Sequence, residues 1–461
     1  MLSACATYYQ KQFDLMQYVY SGNIEQAEHL MKDAKWQKPT RNILLFYLNK
    51  GTILWMNGKN KESLEYFLKA DNYIEDYRKN YATAIAATLI NPNYSTYNGE
   101  TFEQVLVHYY ATMNFVQLED FDNALVACKR MIAASQRMND LMGKNNKYKR
   151  DAFAHNLLGM IYEAQHDYNS AFVAYRNALE IYKDDYAKHL GTSIPIQLKK
   201  DILRTAKMIN FSEEVYLYEN EFKMKAELMP EGYAPLVFFW NNGLGPVKDE
   251  SSINFAITPG QNGYMNFVNA DLGMNFPIYV GNQDDRKNIA ALNVVRVAWP
   301  KYVSRAPLYN QAVLKDSLNK EYKFDIGEDI NAIAYKSLDD RMFKEISEVI
   351  IRFAFKQIAT SLAKKENEAA GVAVSILGAI TEKADTRNWQ LIPYSINYTR
   401  AFLPLGKQNV VLTTSSAKAT ENNTFFVDMK AGKTNFQAFQ TLQFSNYTDR
   451  LGNPINMFNY H

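Results

Sequence analysis

The sequence predicts an α+β protein in which a solenoid of helical repeats is followed by a β-sandwich-like half carrying a long packed helix. Three observations predict it. Residues 152–178 place Leu158, Gly159 and Tyr162 on one helix and Tyr168, Ala171, Tyr175 and Ala178 on the next. This is the spacing of a tetratricopeptide (TPR) hairpin, where Gly and Ala let two helices cross closely and aromatic rings fill the space around the crossing. After Pro230-Glu231-Gly232, Asn, Gly and β-branched residues replace helical periodicity. Residues 338–365 then carry Phe343, Ile346, Ile350 and Phe353 on one face and Ile351, Phe355, Ile358 and Leu362 on a neighbouring one, a surface broad enough to require burial against a sheet.

Aligned on the strong hairpin, three weaker units emerge. Gly22, Ile24, Ala27, Met31 and Ala34 mark one; Tyr47, Gly51, Leu54, Gly58, Phe67 and Ala70 the next; Thr112, Phe115, Phe121, Ala124 and Cys128 the third. Their starts depart from the regular period of about 34 residues, so the array is TPR-like with insertions. The largest insertion, Ile90-Asn91-Pro92-Asn93-Tyr94 through Glu100, reads as a loop. Two helices at 196–208 and 212–222 are expected to cap the stack, because a terminal repeat must hide its apolar face.

In the second half, strands are predicted at 236–240, 253–257, 294–299, 322–326, 396–403, 409–413 and 424–428, with turns at Asn241-Asn242-Gly243 and Pro259-Gly260 and a hairpin at Pro404-Leu405-Gly406-Lys407. The uncharged stretch 369–380 carries Gly371, Ser375 and Ala379 every four residues and reads as a packed core helix, with an inducible membrane or partner contact as the alternative. The organisation predicted is therefore an N-terminal tether (1–10), a TPR-like domain (11–229), a β-rich domain (230–450) with inserted helices at 338–383, and a tail (451–461).

The 51 basic and 49 acidic residues nearly cancel, so no global field favours nucleic acid or an anionic membrane. Lys144, Lys147, Lys149 and Arg150 form the one local basic candidate and read as a solvated loop. No stretch reaches the 18 or more apolar residues of a membrane span. Cys128 reads as a small buried hydrophobe. Cys5 follows Leu2-Ser3-Ala4, which looks like the lipobox of bacterial lipoproteins and makes Cys5 the expected lipidation site. The charged and apolar parts of a secretory leader do not precede it, so the leader is expected upstream of Met1; if Met1 is the true start, the protein is cytoplasmic.

The chain also resembles uncharacterised envelope lipoproteins of Gram-negative bacteria with a TPR-like first half and a β-rich second half. The resemblance is carried by residues 101–110 (TFEQVLVHYY), 241–248 (NNGLGPVK), 384–389 (ADTRNW), Ile392-Pro393 and residues 400–404 (RAFLP). It implies an envelope lipoprotein that accompanies small lipoproteins associated with peptidoglycan synthesis, and it transfers no activity. The periplasmic face of the outer membrane is expected instead from Ala6-Thr7-Tyr8-Tyr9-Gln10 after Cys5, which carry no acidic cluster of the kind associated with inner-membrane retention or surface export.

In TPR arrays the first helices line the concave surface, which places Leu48, Thr52, Trp55, Tyr109, Met113, Asn156, Met160 and Glu163 along one groove. Its mixed aromatic, Met and amide character suits a protein partner, and equally suits filling by the chain's own second half. Asp385, Arg387 and Trp389 read as a structural motif, an Asp–Arg pair holding a turn beside a core anchor. The six histidines show no metal-ligand spacing, and no nucleophile elbow, phosphate loop or dinucleotide fingerprint occurs. Asp284-Asp285 is expected in a polar loop and Asp339-Asp340 at a helix start. No catalytic residue, metal or cofactor is predicted. The function expected is a non-enzymatic, lipid-anchored periplasmic scaffold that holds an envelope protein in its groove; the alternative is a glycan- or lipid-binding receptor built on the β half.

Overall fold

The computed structural model describes residues 3–32, 41–80, 96–142, 150–366, 384–449 and 452–454. The helical half is a series of helix pairs: α1 (Ser3–Tyr20) with α2 (Ile24–Leu30), α3 (Ile43–Met56) with α4 (Asn60–Asn80), α5 (Thr101–Gln117) with α6 (Phe121–Met142), α7 (Ala152–Ala164) with α8 (Tyr168–Ile181), and α9 (Ile196–Met208) with α10 (Ser212–Phe222). One device closes the first helix of every pair. A residue in the left-handed region ends it, namely Gly22, Gly58, Glu119, His166 and Asn210. The next amide then reaches back five residues, as in Asn23 N to Tyr18 O (2.9 Å), Asp120 N to Phe115 O (2.9 Å) and Asp167 N to Tyr162 O (3.0 Å). This is the Schellman closure, which satisfies carbonyls that a helix end otherwise leaves open.

Within the pairs, small residues set the helix separation. A Cβ on Gly159 would lie 2.4 Å from the Tyr175 ring, and one on Gly51 2.9 Å from Phe67. Cys128 is fully buried, its thiol 3.3 Å from the Ala154 carbonyl. At the end of α8 a π turn (Tyr182–Tyr186) rotates two tyrosines toward the second half.

Thirteen strands among the described residues build three sheets. The first is ordered β12 (Asn435–Gln440), β1 (Tyr233–Asn242), β9 (Ser395–Pro404), β8 (Asp325–Asp329), with β12 parallel to β1 and the other pairs antiparallel. The second is β11 (Thr420–Met429), β10 (Gly406–Ser415), β6 (Gln311–Lys315), β7 (Glu321–Lys323). These two pack as a sandwich over Leu236, Phe238, Trp240, Leu403, Leu412 and Val427. The third is β13 (Phe444–Thr448), β5 (Val294–Pro307), β2 (Val247–Pro259), β3 (Tyr264–Asn269), β4 (Met274–Tyr279). A short helix α11 (Gln283–Ala290) precedes β5, and the long helix α12 (Ile330–Glu366) covers the third sheet through Ile346, Val349, Ile350 and Ala354.

The first sheet is buried on both faces. Leu236, Phe238 and Trp240 point into the sandwich, while Val237 and Phe239 join the core of the helical repeats. That core runs without a break from Leu15 through the repeats to Trp389, Ile396 and Tyr398, so it crosses residue 230.

Several expectations are corrected. Pro404 to Lys407 is not a hairpin: β9 and β10 lie in different sheets, and the chain crosses the sandwich there, with Leu405 N bonded to Gly232 O at 3.1 Å. The long helix begins eight residues earlier than predicted, because the Asp329 carboxylate accepts the Ala332 amide and caps it. Asp339 and Asp340 therefore lie inside α12, and Asp284 and Asp285 start α11 under an Asn282 cap. Phe343, Ile351 and Phe355 are exposed, so the sheet covers a narrower face than expected. Residues 322–326 split into β7 and β8. The stretch 369–380, Lys144, Lys147 and Lys149 lie outside the described residues; Arg150 pairs with Asp185 at 3.1 Å.

Replacing Gly159 by Ala should destabilise the protein by about 1–3 kcal/mol, because Tyr175 is held by its hydroxyl and cannot swing aside. Urea denaturation followed by circular dichroism measures this, and an unchanged midpoint would contradict the close helix crossing.

Candidate functional site in the solenoid groove

The eight groove residues do come together in the core of the repeats, and all of them are buried. Leu48, Thr52, Tyr109, Met113, Asn156 and Met160 are at most 1% exposed, and Trp55 and Glu163 are 7% exposed. The expectation of an open partner groove is corrected: the chain's own first sheet and the 384–392 segment fill it. The physical reason lies in β1, whose two apolar faces both need cover, and the repeats supply the second cover.

The contacts run the length of the groove. At α3 and α5, the Trp389 indole donates to Thr52 Oγ1 (3.2 Å) and packs against Phe67 and Tyr110, with centroids 5.9 and 5.4 Å away. The Tyr109 hydroxyl donates to Asn241 Oδ1 of β1 (3.0 Å). Phe153 of α7 meets Phe239 edge to face, and Asn156 is fully buried in the same contact. From the π turn, the Tyr182 hydroxyl donates to Gly327 O (2.6 Å) and that of Tyr186 to Glu328 (2.9 Å), tying α8 to β8.

Two buried charge clusters anchor this contact. In the first, the Arg204 guanidinium grips Glu163 with two bonds of 2.9 and 2.8 Å, and Tyr175 donates to the same carboxylate at 2.8 Å. Arg400 of β9 enters from the sheet, 2.9 Å from Glu163 and 3.2 Å from Asp201. Burial alone would raise Glu163, but the charges of Arg204 and Arg400 outweigh it and hold the carboxyl at about 2. Four side chains carrying two charges of each sign are thus neutral as a set.

In the second cluster, Glu100 at the start of α5 meets both Lys248 of β2 and Arg341 of α12. Burial opposes its ionisation, and these two cations overcome burial and bring it to about 2. Glu103, one turn on, accepts from Trp389 N (2.7 Å), Glu100 N (2.9 Å) and the Tyr97 hydroxyl (2.5 Å). Burial and the charge of Glu100 push it up to about 7 all the same. The Arg387 guanidinium is held by Asp385 (2.8 and 2.6 Å), donates to Asn42 (2.8 Å) and lies over the Tyr97 ring. Sequence reasoning missed Arg204, Asp201, Arg400, Glu100, Glu103 and Lys248. A charged residue inside the apolar strand 396–403 was the available signal for Arg400.

His108 sits 3.7 Å from Asp71, and burial lowers it to about 4. Cys5 falls in the first turn of α1. Among the described residues no group of His, Cys, Asp and Glu is arranged to hold a metal ion, and no helix is long and apolar enough to cross a membrane.

No protein-family model matches the chain, and no curated protein does. Solved structures similar to part of it include BtubC from P. vanneervenii (17% identity, 48% of this chain and 79% of that one, TM-score 0.33). Others are the apo form of RapI (14%, 47% and 68%, TM-score 0.34) and MamA from Desulfovibrio magneticus RS-1 (13%, 47% and 90%, TM-score 0.30). The repeat assignment made above rests on the helix pairs and their closures.

Arg400→Met should cost about 3–5 kcal/mol, because Glu163 and Asp201 are then left with Arg204 alone in a buried site; chemical denaturation measures the loss. The pH dependence has a definite sign. Glu103 titrates above the ordinary carboxylate value in the fold, so its contribution is complete below about pH 4.5 and is lost as pH rises through about 7. The difference in unfolding free energy between wild type and Glu103→Gln should therefore shift against the wild type as pH rises from about 5 to 8. This comparison isolates Glu103 from His108 and His155, whose values are lowered by burial and act in the opposite sense. Glu100 and Glu163 act in the opposite sense, their contribution disappearing as pH drops toward about 2.

Proposed function

We propose that this protein is a non-enzymatic scaffold of the bacterial envelope, anchored by lipid at Cys5 on the periplasmic face of the outer membrane and holding a protein partner. The observation that carries the non-catalytic reading is the state of its strongest ionisable clusters. Glu163, Asp201, Arg204 and Arg400, like Glu100 and Lys248, are buried and mutually paired across the two halves. Perturbed groups at a catalytic site must reach a substrate; these join the helical repeats to the sheets. The lipid anchor is supported by Leu2-Ser3-Ala4 ahead of Cys5, and the envelope setting by the resemblance to envelope lipoproteins.

With the groove occupied, the partner binds on another surface. Pull-down from detergent-solubilised envelopes tests the reading: a stoichiometric protein companion supports it. Binding to purified cell wall or lipid vesicles with no protein companion supports a glycan or lipid receptor instead. For the anchor, Cys5→Ser in the full-length chain should move the protein to the soluble periplasmic fraction and remove the acyl mass from its N-terminal peptide. An unmodified, cytosolic wild-type protein would exclude it.

A further inference from the structure

β12 is the edge of the first sheet, bonded to β1 on one side. Other sheet edges are guarded in recognisable ways. β8 is covered by Tyr182 and by the start of α9, whose Gln197 amide bonds Asp325. β4 contains Pro277, β7 is three residues with Glu321 and Lys323, and β13 is bridged by Pro454. β11, which borders the same opening as β12, carries Glu421 and Asp428. The six residues of β12, Asn-Phe-Gln-Ala-Phe-Gln, contain no charge and no proline, the composition of an edge left able to pair.

Two open clefts flank this strand. One, of about 210 Å³, lies between Asn435 to Gln437 and the α5–α6 turn at Gln117, Glu119 and Phe121. The other, of about 280 Å³, lies between Ala438 to Leu442 and Ile24, Trp55 and Met56. Gln117 Nε2 donates to Phe436 O at 2.9 Å, standing where a neighbouring strand's amide would be. Among the described residues, the backbone of 437–440 makes no backbone bond outside its ladder with β1.

We infer that the partner docks here by adding an extended segment of about four to six residues, with uncharged side chains, to the free edge of β12. The occupant is fixed by what the edge offers: main-chain donors and acceptors at strand spacing, in a slot whose walls at Trp55, Met56 and Ile24 are apolar. The ion pairs beside it, Lys433 with Glu119 at 2.7 Å and Lys430 with Asp428 at 3.7 Å, already satisfy their charges. This inference rests on the scaffold reading and names the site that reading leaves open.

The test places a photocrosslinking benzoylphenylalanine at Met56 of the full-length protein in the envelope. The crosslinked segment is mapped by mass spectrometry, and a synthetic peptide of that segment is titrated against the purified protein. The expected result is one mapped segment, slowed amide exchange in β12 when its peptide binds, and affinity reduced at least about tenfold by Ala438→Pro but kept by Ala438→Val. Met56→Asp, which leaves the sheet untouched, should weaken binding likewise and serves if the proline variant misfolds. A pulled-down companion whose crosslinks avoid Met56, or a peptide that binds without protecting β12, overturns the slot and leaves the scaffold standing. A crosslink from Met56 to a second copy overturns the partner segment in favour of edge-to-edge dimers. No protein companion at all removes the scaffold reading itself.

Discussion

Arg400 carries a full positive charge from the middle of a sheet strand into a site where its side chain is 1% exposed, and the joined architecture depends on how that charge is met. An unpaired guanidinium in such a place would cost several kcal/mol. It is tolerated because α7 and α9 present Glu163 and Asp201 to it, with Arg204 making the balance neutral. Only one placement of β9 against the repeats brings these groups together. An apolar contact of the same area would allow sliding; this one specifies the register between helices and sheet.

The same requirement explains the use made of the repeats. A TPR-like array curls around a concave face, and here that face encloses a strand of the same chain, with aromatic, amide and Met side chains packed on Val237, Phe239 and Tyr398. The solenoid and the sandwich share one core, and the second cluster, Glu100 with Lys248 and Arg341, extends the joint to the third sheet and the long helix. Glu103 lies within hydrogen-bond reach of three donors beside that cluster, and burial with the Glu100 charge still pushes it up to about 7, so its own contribution to the joint is lost as pH rises through neutrality.

Much of the helical half was legible because close packing leaves a mark in sequence: Gly159 faces Tyr175 and Gly51 faces Phe67, and both pairs sit at repeat spacing. The period was obscured where Glu119, His166 and Asn210, rather than glycine, took the left-handed closing position. Strands with a strong apolar run, such as β1 and β9, were visible. Met274 to Tyr279 and Asn435 to Gln440 were not, being short and edge-bound with mixed residues. What filled the groove was the harder matter, since Tyr109 and Asn156 suit a foreign peptide and a native strand equally. The signal lay in residues 236–240, apolar on both faces, which called for a cover on the side away from the sandwich.

Native-state hydrogen exchange tests the shared core most directly. If the first sheet fills the groove, the slowest amides of α5 and α7 and those of β1 and β9 open together, with one free energy and one denaturant dependence, and Arg400→Met lowers all of them by the same amount. Amides of the repeats that open separately from those of β1, with the helical set unmoved by Arg400→Met, would contradict the account.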